Sequence, residues 1–380
     1  MKSKTVLSLF NGMNGGRLAL EGSNIPVKKY YASEVDKYAM QVADALYPDT
    51  VNVGDVRNVD VSKLDHIDVL IGGSPCQSFS FAGKQKGMVT TTEIKITTLE
   101  KYLELKEEGF EFEGQSYLFW EYIRILTDIR KYNPDVLFFL ENVVMTKDWE
   151  IILTKAIGIE PVKINSALVS AQNRKRLYWS NIKTTTFGLW GNTVQDIPQP
   201  KDRGILLKDV LEREVNEKYY IDSSKYEQQY DDVLKIDKGG SPKANQNKAG
   251  CLTAGGHSGG NHSDMDLIVE CVAMRGGNPE NPENPKSRES GLDTVQMIEP
   301  RSDGKTNCLT TVQKDNMVKE TNTQTRIRRL TPRECSRLQT VPEDKIDIML
   351  NCGVSDSQIY KMLGNGWTIE VIAHFFKEIK

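Results

Sequence analysis

Asp68–Ser80 reads D-V-L-I-G-G-S-P-C-Q-S-F-S. Val69–Ile71 is a short apolar run of the kind that forms a buried strand. Gly72 and Gly73 end it and let the backbone turn, and Pro75 stiffens that turn. Cys76 is thereby presented at the end of a strand, where open α/β sheets bind their ligands. A lone cysteine can equally fill a core gap. The polar flank of Gln77, Ser78 and Ser80 favours a reactive thiol instead.

Upstream, Thr5–Phe10 (T-V-L-S-L-F) predicts a first strand, followed by N-G-M-N-G-G and the helical R-L-A-L-E. Strand, glycine turn and helix are a usual opening for a nucleotide-type cofactor site. The spacing is G-x-x-G-G rather than G-x-G-x-x-G, which disfavours a pyrophosphate cradle. Lys29–Val35 predicts a second strand that ends in Glu34, placed to accept bonds from ribose hydroxyls. Val51–Val56 predicts a third, carrying Asp55 at a position suited to an adenine amino group. Ser116–Lys131 has the spacing of an amphipathic helix, and Asp135–Leu140 that of a buried strand followed by Glu141. Read alone, that E-N is a helix cap, a solvated acid or a functional carboxylate. Arg174 and Arg176 alternate within Ile164–Asn181, so on a strand both face one side, either as a solvated face or as a site.

The chain has 380 residues, enough for two domains, with 38% hydrophobic and 27% charged residues. A net charge of −3 gives no global basic field, so nucleic acid would have to meet local patches. Six cysteines without a C-x-x-C pair, and only four histidines, argue against zinc and against a disulfide framework. No stretch is long and apolar enough for a membrane span, and the first apolar run is too short for a signal peptide, so a cytoplasmic location is expected.

From about Phe187 to Lys319 the composition turns to Gly, Asn, Pro, Ser and Asp, which predicts an irregular, loop-rich region. K-A-G-C-L-T (Lys248–Thr253) recurs as K-T-N-C-L-T (Lys305–Thr310), consistent with two similar strands or with chance. Gly255–Gly260 and Gly276–Pro285 read as loops. Thr331 and Glu334 form a capping box with Pro332 at the first helical position. Lys319–Arg337 carries six Lys/Arg against two Asp/Glu, which suggests a phosphate clamp. Ile372, Phe375, Phe376 and Ile379 form a helical apolar stripe.

G-G-S-P-C-Q-S-F-S with A-G-K-Q-K-G, E-N-V, Q-N-R-K-R and R-R-L-T-P-R-E-C-S-R-L-Q occur in one order along the chain. Together they resemble the motifs of the cytosine-5 DNA methyltransferases of bacteria and phages. Ser8, Asn14 and the Gly366-Trp367 pair depart from the bacterial pattern, and some features are nearer the vertebrate de novo branch. The resemblance implies an α/β fold: a Rossmann-like, mostly parallel S-adenosylmethionine-dependent methyltransferase domain over 1–186 and 340–380. It implies a smaller, irregular target-recognition domain over 187–339. Residues 90–115 read as an insertion with a solvated helix through Ile96, Leu99 and Leu103. Catalytic roles fall to Cys76, Glu141, Arg174 and Arg176, with the division of labour between the two arginines left open. The implied cofactor contacts are Phe10, Asn11, Gly12, Asn14, Gly15, Glu34, Val35, Asp55, Val56, Pro75, Leu118, Asn365, Gly366 and Trp367. The implied DNA contacts are Gln77, Ser78, Lys84, Lys86, Gln172, Arg328 and Arg329. S-adenosyl-L-methionine would be consumed to S-adenosyl-L-homocysteine, without a metal. Double-stranded DNA is the expected partner, a monomer the expected state, and a cognate restriction endonuclease is compatible with the family. Two alternatives stay open: an RNA cytosine-5 methyltransferase, and a catalytically silent DNA-binding homologue.

Overall fold

A computed structural model of the chain describes residues 2–75, 79, 87–188, 192–220, 268–277, 295–301, 303–311, 316–321 and 325–380. Seven strands build the main sheet: β1 (Lys4–Leu9), β2 (Val27–Ser33), β3 (Val51–Asn52), β4 (Val69–Gly73), β5 (Leu137–Val143), β6 (Val162–Asn165) and β7 (Lys175–Ser180). Their order is β3-β2-β1-β4-β5-β7-β6. β7 alone runs antiparallel, against both β5 and β6. The order reverses between β1 and β4, which opens a crevice at the carboxyl ends of those strands.

Strand periodicity sorts the core into two layers. Val6, Val69, Ile71 and Phe139 pack on one face with Leu18, Val42, Phe375 and Phe376. Leu7, Leu9, Leu70, Phe138 and Leu140 pack on the other with Trp120, Ile123 and Leu126. The first face is covered by α1 (Gly15–Gly22), α2 (Lys37–Leu46) and the C-terminal helix Ile369–Phe376; the second by α3 (Leu99–Glu107), α4 (Phe119–Tyr132) and α5 (Lys147–Ile157). The C-terminal stripe read from the sequence is therefore core, and it brings the end of the chain back onto α1.

Several boundaries differ from the sequence reading. β5 runs on through Glu141 because Glu141 pairs with Gly73 on one side and Tyr178 on the other. The stretch 164–181 is two strands joined by a turn, and Arg174 precedes β7 rather than lying in it. The helix of the 90–115 insertion is not simply solvated: Tyr102 and Leu105 are buried, while Leu103 is exposed. Its buried face is fixed by Glu121, which accepts from Tyr102 Oη, Lys106 Nζ and Arg124 Nε, each at 2.6 Å.

In the second half, a hairpin pairs β8 (Thr184–Phe187) with β9 (Asn192–Gln195). An antiparallel sheet follows, in order β11-β10-β12-β13, from β10 (Ile268–Gly277), β11 (Val295–Pro300), β12 (Met317–Thr321) and β13 (Thr325–Arg329). Val272, Ile298, Met317 and Ile327 form its own small core. Gly276 and Gly277, read as loop, end β10, paired with Gln296 and Val295. Lys305–Thr310 makes one isolated β-bridge, Thr306 with Gln172, and is not a strand. The first copy of that repeat and Gly255–Gly260 lie outside the described residues. The capping box forms as read: Thr331 Oγ1 accepts from Glu334 N, and Glu334 Oε2 from Thr331 N, at the start of α6 (Pro332–Leu338). Helices α7 (Glu343–Asn351), α8 (Asp356–Asn365) and α9 (Ile369–Phe376) complete the chain.

Candidate active site

The crevice is a cavity of about 770 Å³, within the range of about 300–1,000 Å³ usual for small-molecule sites. One wall is the turn after β1. Phe10, Gly12 and Asn14 all have positive φ (56°, 56° and 66°). Phe10 there is a strained conformation of the kind that gathers at functional sites. Asn11, Gly12 and Gly15 line the cavity beside it. Asn14 does not. Its amide donates to the Ala43 carbonyl (3.0 Å) and Thr50 Oγ1 (3.1 Å), and its Oδ1 accepts from Asn11 Nδ2 (2.9 Å). The expected cofactor contact at Asn14 is thus corrected: an asparagine tolerates the left-handed conformation and spends its side chain bracing the turn.

Glu34 closes the same wall. Oε2 accepts from Gly12 N at 2.7 Å, and Oε1 from Val35 N and Asp36 N at 2.8 and 2.9 Å. Oε2, with a single donor, keeps capacity for another such as a ribose hydroxyl. A phosphate would have to compete with this carboxylate for the Gly12 N–H. Val35 is 67% exposed at the rim and offers an apolar face to a flat ring.

Asp55, Val56, Gln115, Tyr117 and Leu118 form the far end. The Asp55 carboxylate is held by the Arg57 guanidinium (Nη2–Oδ2 2.5 Å), which keeps it below the usual carboxylate range. Arg124, tied to Glu121, donates to the Val56 and Val59 carbonyls at 3.2 Å, so α4 braces the loop that presents Asp55 and Val56. Gln115 and Tyr117 gave no signal in the sequence.

At the other end, Gly73, Ser74 and Pro75 meet Glu141. Glu141 is 8% exposed. Its Oε1 lies 2.9 Å from Arg176 Nε, and its Oε2 accepts from Trp367 Nε1 at 3.1 Å. A Cβ at Gly73 would sit 2.7 Å from Trp367 Nε1 and 3.1 Å from Glu141 Oε2, so only glycine admits this approach. Asn142, the next residue of E-N-V, donates from Nδ2 to Ser74 Oγ (2.9 Å) and accepts from Val143 N (2.8 Å). It pins the Ser74-Pro75 bend to the strand that carries Glu141, a role the sequence reading missed. Gly87 packs against Trp149 so closely that a Cβ there would lie 1.9 Å from the indole. Cys76, Gln77, Ser78, Lys84 and Lys86 lie outside the described residues.

Arg174 is 3% exposed and donates to the carbonyls of Leu309 (3.1 Å) and Gly366 (2.7 Å). It lines the cavity, as do Arg176, Asn365, Gly366 and Trp367. Two expected DNA contacts are corrected. Gln172 is buried; its amide donates to the Leu338 carbonyl (3.1 Å) and its Oε1 accepts from Leu309 N (2.8 Å), so it joins the two halves of the chain instead. Arg328 is also buried, paired with Glu334 at 2.8 Å and Glu320 at 2.7 Å. The basic run around it is largely neutralised by carboxylates from outside the run, Glu217 on Arg326 and Glu343 on Arg333 and Arg337. Arg329 donates to the Lys218 carbonyl at 2.9 Å.

The sheet order, the glycine turn and the acidic strand ends around one crevice define an α/β methyltransferase fold. The family model described as C-5 cytosine-specific DNA methylase matches residues 4–150 and 162–380, and the chain belongs to that family. It is a DNA (cytosine-5)-methyltransferase. The orphan methyltransferase M.SPRI of Bacillus phage SPR is 27% identical, over 98% of this chain and 97% of its own. The orphan methyltransferase M.SPBetaI of Bacillus phage SPbeta is 26% identical, over 100% and 98%. The type II methyltransferase M.NlaIV of Neisseria lactamica is 28% identical over 54% of this chain and 47% of its own. The fold is also that of the S. pombe Dnmt2 methyltransferase (TM-score 0.54, 15% identity, 99% and 98% covered). The Entamoeba histolytica methyltransferase EhMeth is similar (TM-score 0.55, 15% identity, 100% and 98% covered). Among the described residues no helix is long and apolar enough to cross a membrane.

Proposed function

We propose that the cavity holds S-adenosylmethionine at its Glu34–Asp55 end and a cytosine, flipped out of duplex DNA, at its Glu141–Arg176 end. The observation that carries this reading is the Glu141–Arg176 pair, 2.9 Å apart, opening into the same cavity as the Phe10–Gly15 turn and Glu34. Adenosine fits the far end: Glu34 toward the ribose, Val35 against the ring, and Asp55 toward the amino group once Arg57 yields. The cofactor, when bound, supplies an electrophilic methyl group.

The residues of the chain supply the rest. Cys76, one residue past the pinned Ser74-Pro75 bend, adds as thiolate to carbon 6 of the cytosine and makes carbon 5 enamine-like. The arginines beside the site favour the thiolate. Arg176 and Trp367 hold both oxygens of Glu141, which keeps a hydrogen bond to N3 while a proton relayed from solvent through its carboxyl neutralises the negative charge that thiolate addition puts on the ring. After methyl transfer to carbon 5, the carbon 5 proton is lost and the Cys76 sulfur is eliminated, restoring the ring. Extruding the base costs about a few kcal/mol, a case the general rule for methyltransferases covers. The second half of the chain, with its antiparallel sheet, would read the target.

Two full-length phage relatives are orphan methyltransferases, which supports action without an obligatory endonuclease partner. Transfer of tritiated methyl groups from S-adenosylmethionine to unmethylated plasmid duplex, compared with transfer to tRNA, tests the reading. Label in tRNA alone, or in neither, would overturn it.

A further inference from the structure

The segment Lys305–Thr310 comes from the half of the chain assigned above to target reading, yet it lies against the catalytic arginines. Its backbone is pinned there: Thr306 N donates to the Ala171 carbonyl (2.8 Å) and Asn173 N to the Thr306 carbonyl (3.1 Å). Lys305 Nζ donates to the carbonyls of Ala167 and Ile205 at 2.8 and 2.9 Å. Leu309 N donates to Gln172 Oε1 at 2.8 Å. These bonds bring Cys308 Sγ to where Arg174 Nη1 (3.0 Å) and Arg176 Nη2 (3.5 Å) both donate to it.

Two guanidiniums converge on this one sulfur, whose own proton turns to the Leu309 carbonyl at 3.3 Å. Arg174 is buried, and among the described residues its other acceptors are the neutral carbonyls of Leu309, Gly364 and Gly366. A buried cation left with neutral acceptors is costly. Burial pushes the Cys308 thiol up, but the charges of Arg174 and Arg176 outweigh it, and the thiol lies below its ordinary value. A line of contacts results: Glu141, Arg176, Cys308, Arg174, and then the backbone of Gly366 next to Trp367.

We propose that Cys308 is a positioning residue for methyl transfer. Its sulfur spans Arg174 and Arg176 and holds Arg176 on Glu141, so the catalytic pair is complete only when the target-reading half is docked. This rests on the function proposed above. Cys308 touches neither the base nor the cofactor in this scheme; it acts through the arginines.

The test uses the full-length protein, tritiated S-adenosylmethionine and unmethylated plasmid duplex. Cys308→Ala is expected to slow single-turnover methyl transfer by about tenfold or more while the Kd values for S-adenosylmethionine and DNA stay within about twofold. Cys308→Asp, which supplies an anion between the two arginines, should recover most of the rate; Cys308→Ser, similar in size but a weaker acceptor, should not. If Cys308→Ala fails to fold, the Ser and Asp pair carries the comparison. A full-rate Cys308→Ala, or recovery by Ser equal to that by Asp, or a loss confined to DNA or cofactor affinity, overturns the proposal. An active wild type separates that outcome from failure of the parent reading; an inactive wild type overturns both.

Discussion

Replacing Trp367 with phenylalanine isolates one hydrogen bond. The ring stays against Phe139, with centroids now 5.8 Å apart edge to face, but the indole N–H that reaches Glu141 Oε2 at 3.1 Å is gone. Glu141 is 8% exposed, so little water replaces that donor. Hydrogen bonds to charged groups contribute about 1.5–3 kcal/mol. The Arg176 contact remains, which places the loss near the lower end, about 1.5–2 kcal/mol. If Glu141 must be held while charge develops on the base, that is about 10- to 30-fold in rate. Rapid-quench single-turnover methylation, with cofactor affinity measured by calorimetry, separates the effects. The expected result is a slower chemical step with cofactor Kd changed by less than about threefold. A Trp367→Phe protein that transfers methyl groups at the wild-type rate would refute the claim that Trp367 orients Glu141.

Gly73→Ala places a methyl 2.7 Å from Trp367 Nε1; overpacking of this kind costs about 1–3 kcal/mol, and both the melting temperature and the methylation rate should fall. Asn142→Leu keeps the branched outline but strips the partner from Ser74 Oγ and Val143 N; a loss of about 1–3 kcal/mol in urea unfolding is expected, with methyl transfer impaired more than cofactor binding. Asp36 caps α2 through Tyr38 N and Ala39 N, and its bond to Lys361 holds its pKa below the usual carboxylate value. Asp36→Ala should cost about 1 kcal/mol. Because the folded-state pKa is the lowered one, this advantage is full above the unfolded value of about 3.9 and shrinks as pH falls through the folded value. Urea titrations of both proteins from neutral pH to about pH 3 check the sign, which is wrong if the gap widens in acid.

The fold was legible where periodicity is local. The apolar runs at Val69–Ile71 and Asp135–Leu140 already mark buried strands, and strand ends followed by Glu34 or Gly73 mark the crevice. What depends on long-range partners was not. The basic run at Arg326–Arg337 looked like a phosphate clamp because Glu217 and Glu343 are contributed by other segments. Asn14 read as a cofactor contact because neither its left-handed backbone nor its bond to Ala43 has a sequence signature. The insertion helix read as solvated because its spacing does not show that the Tyr102 hydroxyl answers the buried Glu121. Cys308 carried only a six-residue repeat as its mark, and what matters about it is where the chain folds back onto Arg174.

Incubation of the protein with S-adenosylmethionine and duplex DNA carrying 5-fluorocytosine measures the central chemistry directly, because fluorine at carbon 5 blocks the final elimination. The account predicts a denaturation-resistant protein–DNA adduct whose peptide maps to Cys76, and none from Cys76→Ala. A wild-type protein that binds both ligands and methylates ordinary duplex, yet leaves no adduct or one mapping elsewhere, would contradict it.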